Sequence, residues 1–334
     1  LRAATALGTV CIGKTHMSEL AFSGLGYNPV TETSPCVHDF DAVSGGSSSG
    51  AAASVAFDLA PLAIGSDTGG SVRVPSVWND LVGLKTTSGR LSLEGVVPLV
   101  KSFDTVGPLA RTVEDAALAL GLLEGHAGPD LRGASLQGAQ FAILKTLALD
   151  DVEAKPLAAF ESAVDRLKAA GARITMIEAP EVNEAISHAG PLFAGEAYGQ
   201  WRDVIEGNPD VMFAQVLGRF RAGGDFSAPD YVAAWEALLK ARAIWNARIR
   251  GFDAVLTPSC PIMPPKVADL AADEAYYVER NLKALRNTRI GNLMGSCALT
   301  LPTGAPSCGI MMTTLPLQEE RLLRLGAAVE AALA

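Results

Sequence analysis

Two glycine- and serine-rich loops decide the reading of this chain: Gly45-Gly46-Ser47-Ser48-Ser49-Gly50, and Gly65-Ser66-Asp67-Thr68-Gly69-Gly70-Ser71-Val72-Arg73. Each precedes a helical segment. Glycine reaches backbone angles closed to other residues, so successive N–H groups can converge on one point and bind an anion. A nest of this kind ahead of a helix can hold a phosphate or a developing oxyanion. Neither loop has the G-x-x-x-x-G-K-[ST] spacing of a P-loop, and no G-x-G-x-x-G opens a helix, which disfavours a nucleotide site. Gly46-Ser47-Ser48-Ser49-Gly50 matches G-x-S-x-G and so offers Ser48 as an α/β-hydrolase nucleophile. The stretch before it, residues 38–44, is a poor strand. The only histidines after it, His126 and His188, lie outside the C-terminal third, so a Ser-His-Asp triad is weakly supported.

Outward from the loops the pattern is strand, loop, helix, the alternation that builds a sheet covered by helices. Residues 8–13 read as a short buried strand, 50–58 as a helix of small residues, and Leu62-Ala63-Ile64 as a strand running into the second loop. Thr112 caps a helix over 112–124 with Asp115 at the capping-box position. Strands are expected at 140–145 and 173–177 around a helix at 156–170, and again at 253–257 and 308–313. Residues 318–333 close as an amphipathic helix. Between about 180 and 250 the pattern is a long helical excursion, with Trp201, Phe213, Phe220, Tyr231 and Trp235 as packing anchors.

The chain has 334 residues, 49% hydrophobic and 19% charged, enough to bury a full core. A net charge of −9 without a run of Lys or Arg argues against direct nucleic-acid binding. No apolar stretch approaches the roughly 18 residues of a membrane span. The five scattered cysteines lack a C-x-x-C pair and read as reduced core residues of a cytoplasmic protein. No metal or cofactor is expected.

Taken together the two loops resemble the amidase signature family. Gly-Gly-Ser-Ser-Ser-Gly-Ala-Ala-Ala, followed by Pro61 to Pro75, is similar to that family's signature segment. The likeness extends upstream to Gly13-Lys14-Thr15-His16-Met17-Ser18-Glu19-Leu20-Ala21. Downstream it takes in Gly83 to Arg90, Asp104-Thr105-Val106-Gly107-Pro108 and Phe252 to Pro258. It implies a central twisted mixed β-sheet with helices on both faces, built as one domain over 1–334, and a catalytic set of serine, cis-bonded serine and lysine. Ser71 maps to the nucleophile and Ser47, after a cis peptide bond, to the relay. Backbone N–H groups of Thr68, Gly69, Gly70 and Ser71 would form the oxyanion hole. Asp67 and Arg73 are expected to order the loop as a buried ion pair or to contact substrate, and Ser48 and Ser49 to bond locally or to substrate.

The family's lysine lies upstream of the segment matching Gly13-Lys14-Thr15, so the resemblance implies a catalytic lysine before residue 1 and a domain lacking its N-terminal portion. The start without Met favours an omitted segment over a truncated, inactive product. Lys14 aligns elsewhere and is expected to be a surface or structural lysine. Asp80 departs from the pattern, where glycine or another small residue is expected. The implied function is hydrolysis of a small-molecule carboxylic amide, with homodimerisation left open. The alternatives are the amidase subunit of a tRNA-dependent amidotransferase, whose usual Tyr-Asp-Gly-Val-Arg-like motif is missing, or a non-catalytic homologue. Phe193, Tyr198 and Trp201 would line the substrate pocket or fill core.

Overall fold

The computed structural model describes residues 2–334. Its frame is an eight-stranded mixed sheet. The strands are β3 (Leu62–Asp67), β4 (Val82–Lys85), β5 (Thr105–Ala110), β6 (Gln140–Leu144), β7 (Arg173–Ile177), β8 (Ala254–Pro258), β9 (Ala298–Pro302) and β10 (Gly309–Thr313). They lie in the order β3-β5-β4-β9-β10-β8-β6-β7. Pairing is antiparallel from β3 through β8 and parallel between β8, β6 and β7. A separate two-stranded ribbon, β1 (Pro35–Cys36) with β2 (Asp39–Val43), takes up the stretch that reads as a poor strand.

Side chains alternate across a strand, so each strand feeds two cores. On β6, Phe141 and Ile143 enter one cluster and Ala142 and Leu144 the other; on β8, Ala254 and Leu256 divide from Val255 in the same way. The first cluster is closed by helices Val113–Glu124, Ala154–Ala169 and Glu319–Leu333. The second is closed by the excursion, including Pro180–Ser187 and Ala228–Ile249, and by Arg286–Leu293. The sheet is thus covered by helices on both faces. Thr112 caps its helix as expected, its hydroxyl accepting from the Asp115 N–H at 3.0 Å.

Residues 8–13 correct the sequence reading. They form no strand, and Val10 and Ile12 stand 78% and 73% exposed. An apolar run becomes a strand only where a neighbour supplies its ladder, and among the described residues none does. Three strands of the eight-stranded sheet, β4, β5 and β9, have no counterpart in the sequence pattern. In β5, Gly107-Pro108 carries the grammar of a turn. It lies mid-strand because Gly107 packs against the Leu84 carbonyl, where a Cβ would collide, and because β4 pairs only with Leu109 and Ala110, so the N–H that Pro108 lacks is not needed for that ladder. The short helices between 267 and 293 are likewise additions made by the structure.

Candidate active site

Strand β3 delivers the second loop to the edge of the second core, and helix Arg73–Trp78 carries the chain away. Between them Asp67 and Arg73 form a fully buried ion pair, Nη2 to Oδ1 at 2.8 Å and Nε to Oδ2 at 3.0 Å. The second carboxylate oxygen also accepts from the Val72 N–H, which bends the loop back on itself. Arg73 further donates to the Thr288 carbonyl at 2.7 Å and to Asn292 Oδ1 at 2.6 Å, pinning the loop to helix Arg286–Leu293. Burial alone would raise the Asp67 pKa, but the Arg73 charge and its hydrogen bonds outweigh burial and bring it to about 2. Lys85 lies beside this pair, also buried, its Nζ donating to the Thr86 and Ser296 carbonyls at 2.9 Å each. Burial and the Arg73 charge lower it to about 8.

Gly70 is required twice. Its φ is +142°, and a Cβ there would run into Thr288 Oγ1, which donates to the Gly69 carbonyl at 2.8 Å. In this fixed conformation the N–H groups of Thr68, Gly69, Gly70 and Ser71 donate to no acceptor among the described residues. Four free donors in succession are therefore held around Ser71. Thr68 is steadied through its hydroxyl, which donates to Asp104 Oδ1 at 2.5 Å.

The first loop meets the second through Ser48. Its N–H donates to the Ser71 carbonyl at 3.2 Å, while its hydroxyl donates to the Ser66 carbonyl and accepts from the Ser66 N–H, each at 3.2 Å. Gly65 leaves the room, since a Cβ there would stand 2.6 Å from Ser48 Oγ. Ser48 is thereby a tie between loops and not a free nucleophile. Ser49 Oγ lies 3.5 Å from the His16 carbonyl. The Gly46–Ser47 peptide bond is cis. Ser47 is buried, its carbonyl accepts from the Ser18 N–H, and its hydroxyl has no hydrogen-bond partner among the described residues, like those of Ser18 and Ser44.

Ser71, Thr68 and Gly69 line a narrow cleft whose walls include Phe22, Leu99, Phe193 and Leu285, together with Arg219 and Arg289. Phe193 is a lining residue. Tyr198 and Trp201 are not among its lining residues and pack against the second core, Trp201 donating to the Pro98 carbonyl at 2.9 Å. No histidine among the described residues reaches the cleft; His38, for one, is spent on Asp80 at 2.6 Å. Asp80 itself has φ +53°, which is why glycine is expected there, and its other oxygen accepts from the Ser307 N–H. Lys14 is exposed. The two arginines were missed by sequence reasoning because nothing local marks them; only the fold brings them to Ser71.

A family profile described as Amidase matches residues 2–323. The chain belongs to this family. Among its relatives is a 2-amino-5-chloromuconic acid deaminase of Comamonas testosteroni, 38% identical over 96% of this amidase and 72% of that protein. A glutamyl-tRNA(Gln) amidotransferase subunit from Rhodococcus erythropolis is 29% identical, over 98% of the amidase and 75% of that protein. A crystal structure of an amidase superposes with a TM-score of 0.89 at 27% identity, covering 100% of this chain and 77% of the other. The amidase is thus a hydrolase of carbon–nitrogen bonds. Its five cysteines are free, with Cys11 exposed and the other four buried, and among the described residues no helix is long and apolar enough to cross a membrane.

Proposed function

We propose that this amidase hydrolyses a carboxylic amide through an acyl-enzyme on Ser71, with Ser47 as proton relay. The carrying observation is the run of four unengaged N–H groups beside Ser71, on a loop tied through Ser48 to the segment bearing the unpartnered Ser47 hydroxyl. Ser71 Oγ attacks the amide carbon as its proton passes to Ser47 Oγ, whose own proton passes to a neutral lysine amine. A hydroxyl suits this relay because it both donates and accepts. The N–H groups of Thr68, Gly69, Gly70 and Ser71 hold the oxyanion, and one such donor is worth about 3 kcal/mol. As the C–N bond breaks, the leaving nitrogen takes its proton from Ser47. Water then attacks the ester and releases the carboxylate.

The lysine is assigned, on the family resemblance, to a position upstream of residue 1, so residues 1–334 are read as one amidase domain lacking its N-terminal portion. Lys85 does not replace it, because its amine is committed to two carbonyls. Asp67 and Arg73 are given the task of ordering the loop. Cytoplasmic residence is supported by the unpaired cysteines.

In the full-length protein, Ser71→Ala should abolish both amide hydrolysis and labelling by a fluorophosphonate. Ser47→Ala should keep the nucleophile but lower kcat roughly 100- to 10,000-fold. Hydrolysis by the Ser71→Ala protein at the parent rate would refute the assignment. A second reading, in which the chain works inside an amidotransferase complex, is favoured by the similarity to the Rhodococcus protein over 98% of the chain. Co-purification with stoichiometric partner chains would select it.

A further inference from the structure

Most arginines in this protein that lie near the core face an acid or spend their donors on the backbone. Arg73 pairs with Asp67, Arg90 with Glu124 and Glu319, and Arg248 with Glu181. Arg219 and Arg289 do neither fully. Arg219 makes one hydrogen bond, Nη1 to the Phe22 carbonyl at 2.9 Å, and lies over the Phe22 ring with Cζ 4.2 Å from its centroid. The Arg289 side chain has no hydrogen bond to any of the described residues, and its Cζ stands 5.9 Å from the Phe193 ring centroid. Among the described residues no carboxylate lies within 4 Å of either guanidinium. The acids of the neighbouring segments are engaged elsewhere: Glu19 accepts from the Phe213 N–H, and Glu196 from the Ser102 N–H and the Tyr231 hydroxyl.

Both residues line the cleft that contains Ser71. Two like charges under one apolar roof are costly to hold without a counter-ion. Burial and the neighbouring Arg289 charge lower Arg219 to about 9, and burial lowers Arg289 to about 10, so both remain cationic at neutral pH. Each guanidinium lies over or near an aromatic ring, and a planar fork is the shape that receives a carboxylate through two parallel hydrogen bonds. The remaining wall between the arginines and Ser71 is apolar, formed by Leu99, Phe193 and Leu285. It offers contact to a short hydrocarbon chain, and the hydroxyls of the lining residues Ser23 and Thr68 are already engaged, the first with Asn281 and Tyr277 and the second with Asp104.

We propose that Arg219 and Arg289 form a carboxylate subsite, and that the substrate is the monoamide of a short dicarboxylic acid, its free carboxylate on the two guanidiniums and its amide carbon at Ser71. This rests on the assignment of Ser71 as nucleophile. It gives the amidase a reason to prefer acidic amides over neutral ones of equal length, because the unmatched charges of an empty subsite oppose a neutral chain.

The test uses two fluorophosphonates in the full-length protein, one with a plain alkyl chain and one of the same length ending in a carboxylate. The acidic probe should label Ser71 at least tenfold faster than the neutral one. Arg289→Gln should abolish that preference and bring the two labelling rates close to equal, as expected for a lost buried charge contact. Arg289→Lys, which keeps the charge, should retain most of it, and Arg219→Gln should act in the same direction as Arg289→Gln. The expected substrate ranking is succinamate, glutaramate or adipamate above butyramide, valeramide or hexanamide. Equal or slower labelling by the acidic probe in the parent protein overturns the subsite while leaving Ser71 in place. Failure of both probes to label Ser71 overturns the nucleophile and the subsite together.

Discussion

Two arginine clusters border the Ser71 loop and are treated in opposite ways. Arg73 has no exposed surface, and its guanidinium donates to Asp67, Asn292 and the Thr288 carbonyl. Arg219 and Arg289 open on the cleft with one protein hydrogen bond between them. The closed cluster has nothing left to offer a ligand, so it fixes geometry. The open one has donors and charge in excess, so it reads as recognition. What separates the two roles is the count of unsatisfied donors, together with the opening of Arg219 and Arg289 on the cleft where Arg73 is closed off.

The closed cluster should break hardest. Asp67→Ala leaves the Arg73 guanidinium buried without its counter-charge, which costs about 3–5 kcal/mol. Urea unfolding of parent and variant measures it. The same change frees the Val72 N–H, so the loop should lose its bend and Ser71 its reactivity toward either fluorophosphonate.

Acid provides a milder way to break the same pair. The Asp67 carboxyl has a folded-state pKa of about 2 against an ordinary 3.8, so the unfolded chain takes up its proton first as pH falls. The stabilisation is complete above 3.8 and is lost as pH drops through 2. A shift of that size corresponds to about 2 kcal/mol. Stability of the parent minus that of Asp67→Asn, followed by urea titration across this window, isolates the contribution from the other carboxylates. A difference that stays constant from pH 4 to pH 2 would mean that Asp67 is not held ionised.

How much of this contrast is legible in the sequence follows from distance along the chain. Asp67, Thr68, Gly70, Ser71 and Arg73 fall within one loop, and their spacing is itself a pattern. Strands with a strong apolar run, such as 140–145 and 253–257, also announce themselves. Strand β4 is only four residues long and β5 contains Gly107-Pro108, so periodicity has too little to act on. Arg219 and Arg289 each sit on a helix face like any surface arginine. Their meaning depends on the sheet bringing helices Ala214–Arg221 and Arg286–Leu293 to the mouth of the Ser71 loop, which no local signal encodes.

The smallest expected effect on stability comes from the open cluster, and its sign is the informative part. Arg289→Leu removes a cation that has no acidic partner and no side-chain hydrogen bond among the described residues, so no ion pair is broken and no acceptor is orphaned. It also relieves the repulsion felt by Arg219. Leucine fits among Phe193, Leu285 and Leu99, and the change should leave unfolding free energy within about 1 kcal/mol of the parent, on the stabilising side. Urea unfolding beside the Asp67→Ala protein sets the two clusters on one scale. A loss of several kcal/mol at Arg289 would show that it holds the structure as Arg73 does, and the distinction between a closed and an open cluster would fail. A neutral or stabilising result, together with loss of the preference for an acidic probe, is the signature of a group maintained at the expense of stability for what it binds.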